Sequence, residues 1–472
     1  MLIAKVVLIC LSLLVAMARA ALPDPLAREI FKQLIEINTT SSVGDTTVAA
    51  QAMARRLLEA GFLKDDVHVL IGPNPKRGNL VARFRGRGDH RPVLIMGHLD
   101  VVEAKREDWS VDPFVLTEKD GYFYGRGTQD MKDADAIAVA SLIRLRKEGF
   151  VPDRDIILAL TADEETGGSD NGVSWLLENH RELVDAEFVI NPDAGGVDSI
   201  AGRPVAFNLE ATEKQYADFQ LLVTNPGGHS SLPTGDNAIY HLAEALVRLE
   251  HAPFPFELNA ITREWLRKML DIEEGTRAED INAVLRNPPD PKAFGRLAED
   301  KLYNATIRTT CVATMLNAGH ANNALPQRAS AIVNCRILPG HSPEEVQRDL
   351  IRTLADASIS VAWVDDDGSF KERAPPTKAM TPPPLNTELM GALQRAVSER
   401  WPGLPILPEM ETGASDSLRT MAAGIPSYGF SGTAIDRNDV RAHGRDERLR
   451  VDSFDDGMEF FYRFLKILTR GN

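Results

Sequence analysis

The chain has 472 residues, with 53 basic against 68 acidic side chains and a net charge of −15. Such a length holds two domains with substantial cores. The acidic balance argues against a nucleic-acid partner, which wants the opposite sign, and for a solvated surface with a carboxylate-rich site.

The first 20 residues read as an export signal. Lys5 gives a positive start, 6–17 is apolar, and Ala18-Arg19-Ala20 is a small-x-small cleavage site. The apolar stretch is shorter than the roughly 20 residues a bilayer span needs. Cys10 lacks the preceding small residue of a lipoprotein anchor. Loss of Lys5 and Arg19 leaves 51 basic against 68 acidic residues, a net of −17. No later segment is long and apolar enough to cross a membrane. The sequence thus predicts a soluble protein exported to a periplasmic or extracellular space, free of the membrane once the signal is cleaved.

Past the signal, 24–37 and 46–60 have helical apolar spacing, the second closed by Gly61. Strands are predicted at 79–85 and 92–97, a helix at 134–148, a strand at 155–161, a helix at 173–179 and a strand at 186–191. This alternation argues an α/β fold with a central, mostly parallel sheet. The carboxyl ends of such strands are where an open α/β sheet builds its site. From about Gly202 the pattern changes to strand 215–224, helix 237–249, strands 306–316 and 328–338, helix 342–357 and strand 358–364. That order, β-α-β-β-α-β, is the signature of a small ferredoxin-like sandwich. A charged, helical-looking insertion, 253–304, interrupts it. A Pro-rich stretch at 374–384 leads out, and helix and strand resume at Asn386. The expected division is a first domain of 21–203 and 378–472, discontinuous, with a second, 204–377, inserted into it.

Only Cys311 and Cys335 survive signal cleavage. A hairpin centred near Asn322-Asn323 would set them opposite each other on one face. An oxidising compartment would permit a disulfide, but two buried thiols are the favoured reading. Both lie too far in sequence from the histidines and carboxylates below to suggest a thiolate site.

Several apolar runs end in metal-ligand residue types. Val93-Leu94-Ile95-Met96-Gly97-His98-Leu99-Asp100 is a buried-type strand closing in His-x-Asp. Period-two spacing puts both side chains on one side, so His98 can bind a metal through one ring nitrogen while Asp100 holds the other. The loop Gly125-Arg126-Gly127-Thr128-Gln129-Asp130 can fix Asp130 toward the site, although capping of the following helix is an equal reading. The strand 156–162 runs into Asp163-Glu164-Glu165-Thr166-Gly167-Gly168, where adjacent glutamates project differently, one to ligate and one to face water. Asn191-Pro192-Asp193 repeats the pattern, and Ala442-His443-Gly444 supplies a second histidine. Two imidazoles with several carboxylates suit a pair of zinc ions and leave one carboxylate as a base. No G-x-S-x-G elbow, H-E-x-x-H helix or dinucleotide fingerprint offers a competing chemistry.

In this order and over nearly the whole mature chain, these motifs resemble the M20 family of zinc metallopeptidases: H-x-D at His98 and Asp100, G-R-G-x-x-D at Gly125–Asp130, the paired glutamates, the late acidic ligand and the final histidine. The resemblance implies that His98, Asp130, Glu165, Asp193 and His443 hold two Zn2+ ions (Mn2+ or Co2+ in their place), with Asp130 bridging and Glu164 as general base. It further implies that the inserted domain is a lid and dimerisation module. His229, in Pro226-Gly227-Gly228-His229-Ser230-Ser231, would reach a partner subunit's site and help stabilise the oxyanion, so a homodimer is expected. Asn323 and Arg336 resemble lid residues that hold a substrate carboxylate, for which an Arg fork is chemically apt. Ser415, in the loop 411–416, and Gly432 are carried over as substrate contacts. Two departures stand out: Asp133-Ala134 follows Lys132 where relatives often have Gly-Gly, and the late ligand is Asp193 rather than Glu. The second tilts the expectation toward a peptidase. The expected activity is hydrolysis of small peptides with a free carboxyl terminus, with an N-acyl-amino-acid amidohydrolase as the alternative.

Overall fold

The computed structural model describes residues 22–166, 170–365, 367–375 and 380–470. The export signal, Gly167-Gly168 of the glutamate loop and the expected boundary at 377–378 lie outside the described residues. Among the described residues, no helix is long and apolar enough to cross a membrane.

One ten-stranded mixed sheet organises the larger part. From one edge its strands run Val67–Ile71, Gly78–Phe84, Ile156–Thr161, Val93–His98, Phe188–Asn191, Ser427–Gly429, Arg203–Glu213, Gly196–Ile200 and Ala434–Asp436, with Ile406–Glu411 also paired to Arg203–Glu213. Five pairings are parallel and four antiparallel. Val93–His98 and Ile156–Thr161 are buried at every position, as strands covered on both faces must be. The helices Pro25–Glu36, Thr46–Glu59, Lys132–Lys147, Thr387–Arg400 and Val451–Leu468 share one apolar core with the sheet. Lys132–Lys147 is the central one, with thirteen of its 16 residues buried.

The second sheet has five antiparallel strands in the order Thr310–Ala318, Arg328–Ile337, Gln215–Thr224, Ile359–Val364, Phe370–Lys371. Its first four reproduce the split β-α-β order expected from the sequence. The helices Ala238–His251 and Pro343–Leu354 cover one face, on the alternate side chains Ala217, Phe219, Leu221 and Val223. Ser342 and Glu345 form a capping box that starts the second helix.

Three findings differ from the sequence-based expectation. Arg203–Glu213 belongs to the large sheet, so sheet membership changes at Lys214 rather than at 203–204. The inserted segment, helical as expected, forms Ala260–Met269, Gly275–Leu285, Pro291–Leu297 and Lys301–Thr306, but their core includes Ala206 and Leu407 of the large sheet rather than residues of the small one. It therefore leans on the large sheet. Last, Cys311 and Cys335 are joined in a disulfide, not left as thiols. They are directly opposed residues of neighbouring strands, and that register brings the sulfurs within bonding reach.

Candidate metal centre

Ile156–Thr161, Val93–His98 and Phe188–Asn191 lie side by side and parallel, so their carboxyl ends open on one edge of the sheet. His98 ends the middle strand, Glu164 and Glu165 follow the first, and Asp193 follows the third. Asp163 turns the chain through left-handed backbone, φ 57°, uncommon for a residue with a side chain. Arg77 pairs with its carboxylate at 3.0 Å.

Asp130 sits between two imidazoles. Its Oδ1 is 3.0 Å from Nε2 of His98 and its Oδ2 is 2.9 Å from Nε2 of His443. His98 Nε2 also lies 3.5 Å from Asp193 Oδ1, and His443 Nε2 lies 3.0 Å from Glu165 Oε2. Two half-sites result, His98–Asp130–Asp193 and His443–Asp130–Glu165, sharing one carboxylate. Glu164 offers an oxygen within 4.8 Å of ligand atoms of His98 and Asp193. Two imidazoles and four carboxylates, one facing both ways, fit a pair of divalent cations.

The electrostatics of the cluster follow from burial and from the facing charges. Burial opposes ionisation of Asp130, but His443 and His98 outweigh it and hold the carboxyl below its usual range. Hydrogen bonds to Asp130 and Glu165 raise His443 to about 10. Burial pulls His98 down, yet Asp193 and Asp130 carry it well above an ordinary histidine. Burial, then Asp193, drives Glu164 well above the usual carboxylate range.

Asp100 acts differently from the expectation. Nδ1 of His98 is 3.0 Å from the Asp100 main-chain carbonyl and 3.8 Å from its carboxylate. The carboxylate instead accepts the backbone N–H groups of Glu164, at 3.2 Å, and Glu165, at 3.1 Å. Two amides on one carboxylate outcompete the ring, and Asp100 anchors the glutamate loop.

A clamp missed in the sequence joins the two loops that carry Asp130 and His443. Glu447, fully buried, accepts from Arg126 Nη1 at 2.5 Å, from the Gln129 N–H at 2.7 Å and from the Gly127 N–H at 3.3 Å. Arg126 Nη2 reaches back to the carbonyls of His443, at 3.3 Å, and Gly444, at 3.0 Å. The Gln129 side chain accepts from the N–H groups of Arg441 and Ala442 and donates to the Arg448 carbonyl. Burial pushes the Glu447 carboxyl up to about 7 against the pull of Arg126. The available signal was an acidic residue shortly after His443 and the arginine inside Gly125-Arg126-Gly127.

The Asp133-Ala134 departure adds a buried carboxyl, Asp133, beside the buried Asp135 in the first turn of Lys132–Lys147, and burial pushes both well above the usual carboxylate range. A Cβ on Gly97 would fall 2.3 Å from Asp135 Oδ1, which explains the glycine before His98.

The remaining expected residues sit apart from this cluster or beside it. His229 is exposed on the two-residue strand Gly228–His229, and its Nδ1 is 2.7 Å from Ser231 Oγ. Asn323 lies next to it, its carbonyl accepting from the Ser230 N–H. Arg336 is half-buried on the small sheet, its guanidinium 4.7 Å over the Tyr216 ring. Ser415 is bound into the loop by its N–H to Glu213 at 2.8 Å and by Oγ contacts to Asn191 and Ser417. Gly432 takes a packing role: a Cβ there would fall 2.6 Å from the Phe460 ring and 2.9 Å from Gly457.

The chain resembles known proteins over most of its length. A family model described as peptidase family M20/M25/M40 matches residues 94–467. Human N-fatty-acyl-amino acid synthase/hydrolase PM20D1 is 30% identical over 388 residues, 80% of this chain and 74% of the relative. Carboxypeptidase S-like 2 of Dictyostelium discoideum is 27% identical over 403 residues, covering 82% and 74%. Among solved structures, an M20 family metallo-carboxypeptidase of Sulfolobus solfataricus superposes with a TM-score of 0.70 at 17% identity, over 94% of this chain and 99% of that one. Human carnosine dipeptidase 1 gives 0.64 at 17%, over 95% and 100%. At such identities the structural likeness shows the fold.

Proposed function

This chain belongs to peptidase family M20/M25/M40 and is thus a hydrolase of peptide or amide bonds; from that premise we propose that it cuts the amide joining an acyl group to an amino acid with a free carboxylate. The observation that carries the reading is Asp130, each of whose oxygens faces a different imidazole, with Glu164 beside His98 and Asp193. His98, Asp130, Asp193, Glu165 and His443 would hold two zinc ions. Ions held there supply Lewis acidity toward a water and the scissile carbonyl. Glu164 takes the water's proton and passes it to the leaving nitrogen. Asp100 keeps Glu164 in place through its amide. Arg336 is the candidate anchor for the substrate carboxylate.

The sequence pointed first to small peptides. Relatives named for N-fatty-acyl-amino acids shift our reading to N-acyl amino acids, and the resemblance to carboxypeptidase S-like 2 supports peptide cleavage as the second. The zinc-loaded protein, assayed on matched dipeptides and N-acyl amino acids with free or amidated carboxyl termini, separates them. Faster turnover of acylated amino acids supports the first reading and exclusive cleavage of dipeptides the second. Indifference to amidation removes Arg336 from the site.

A homodimer follows from the role given to His229. The exposed edge strand with Val312, Met315 and Leu316, and the exposed Tyr240 and Val247 on the neighbouring helix, support that reading. Sedimentation as a monomer at assay concentration would sink it. Export is supported by the Cys311–Cys335 disulfide, which persists in oxidising compartments; recovery of the mature protein only from the reducing cytoplasm would contradict it.

A further inference from the structure

The chain passes from the large sheet to the small one through a single residue, Lys214, between Arg203–Glu213 and Gln215–Thr224. Its side chain is fully buried. Its main-chain N–H donates to the Glu411 carbonyl at 3.0 Å. Its Nζ donates to the Arg308 carbonyl at 2.7 Å and lies 3.5 Å from Thr310 Oγ1. Lys214 thus ties together the hinge, the metal-side loop after Ile406–Glu411, and the exit of the helical insertion into the small sheet.

The charges gathered around it have one sign. Arg308, 7% exposed, stacks 3.8 Å over Phe256, donates to the Phe254 carbonyl at 3.3 Å and leaves Nε unpartnered. Arg336 stands in register between Thr310 and Tyr216 at this end of the small sheet. Among the described residues, no ion pair joins Lys214, Arg308 or Arg336 to a carboxylate. The acids closest in sequence or register are engaged elsewhere. Asp218 accepts from Tyr216 and Asn334, Glu213 from the Ser415 N–H, and Glu411 from the Thr412 and Gly413 N–H groups. Burial, then Arg336 and Arg308, lowers the Lys214 ammonium to about 7. Buried cations without a counter-charge are costly unless a ligand supplies one, which makes them candidates for a functional site.

We propose that Lys214 and Arg308 complete a carboxylate receptor around Arg336, in which the substrate's carboxylate pairs with Arg336 and the two buried basic groups near it add to the field that attracts that carboxylate. This rests on the reading that the substrate bears a free carboxylate at Arg336. Lys214 and Arg308 are positioning residues, and an acyl amino acid is favoured over its amide because only the acid brings the missing charge.

Kinetics of the zinc-loaded full chain on an N-acyl amino acid and its carboxyl-terminal amide test this. Lys214→Met and Arg308→Met should each raise KM for the acid about five- to tenfold, the loss of one buried charge near the substrate carboxylate, while kcat stays within about twofold. KM for the amide should not move, and Arg308→Lys should restore most of the preference. Equal shifts for acid and amide mean a merely structural role and overturn the proposal. If Lys214→Met fails to fold by circular dichroism, the Arg308→Met and Arg308→Lys pair decides. Preference in the wild type that is lost in Arg336→Met but kept in both hinge variants overturns the receptor and leaves the anchor standing. No preference in the wild type removes the anchor, and the receptor with it.

Discussion

The clamp between Arg126 and Glu447 makes the sharpest demand on the site. Glu447→Gln keeps the shape but removes the charge and one of the two acceptor oxygens. The wild-type carboxylate serves Arg126 and the N–H groups of Gly127 and Gln129. A glutamine oxygen can serve one side of that fork, while its NH2 points donors at the other. The lost charge-assisted bond is worth about 1.5–3 kcal/mol and the orphaned N–H about 1–3 kcal/mol. The smaller cost of burying a neutral amide offsets part of this, leaving a net loss of about 2–4 kcal/mol at pH 8. Because the same atoms fix the loops of Asp130 and His443, zinc affinity should fall about 10- to 100-fold. Denaturant unfolding of the metal-free protein reads the first effect, and calorimetric zinc titration the second. A loss of stability with unchanged zinc affinity would confine the clamp to structure. No change in either refutes the reasoning. Arg87→Gln, at an ion pair with Asp89 in which both side chains are about half exposed, is the control and should cost under about 1 kcal/mol.

Four further outcomes are expected. Glu164→Gln should keep its zinc content and lose about 10²- to 10⁴-fold in kcat; turnover near wild type would exclude Glu164 as the proton carrier. Zinc binding should release protons and weaken as pH falls, because the metal-free imidazoles of His98 and His443 are raised and must be deprotonated to ligate. Titrations in buffers of different ionisation enthalpy count those protons, and none released near pH 7 would contradict the assignment. In the metal-free fold, His443 contributes stability fully present below its unfolded value near 6.5 and lost as pH rises through about 10. Cys335→Ser opens a loop with a sequence separation of 24, which chain entropy values at about 3.5 kcal/mol. Reduction of the wild type should lower the small sheet's stability similarly, and insensitivity to reductant would argue that the bond contributes nothing.

What could be read from the sequence divides along physical lines. Val93–His98 and Ile156–Thr161 were legible because strands covered on both faces are wholly apolar, and a polar residue at the end of such a run stands out. Arg203–Glu213 was not. It carries Asn208, Glu210 and Glu213, and its parallel partner, Ile406–Glu411, lies far along the chain. The register of Cys311 against Cys335 followed from local hairpin geometry, but the choice of thiols over a disulfide leaned on general expectation and went the wrong way. The ligand types were visible as residues. The clamp that aims two of them was not, since Arg126 and Glu447 are 321 positions apart and nothing local couples them. Asp100 shows the limit of spacing arguments: period two placed it correctly beside His98, yet two backbone amides claimed its carboxylate.

The discontinuity of the large sheet governs when the site can exist during synthesis. His98, Asp130, Glu164, Glu165 and Asp193 emerge in the first half of the chain, and the strands that carry three of their loops can pair with one another as soon as they appear. Ile406–Glu411, His443 and Glu447 emerge last, after the whole small sheet and its helical insertion. A ribosome-bound chain that lacks its final tenth therefore presents one half-site without its imidazole and an Asp130 loop without its clamp. Domains fold in order of appearance, and long-range pairings close last. On the proposed ligand assignment, a second metal would be captured only after these last pairings close, and hydrolysis would wait for it.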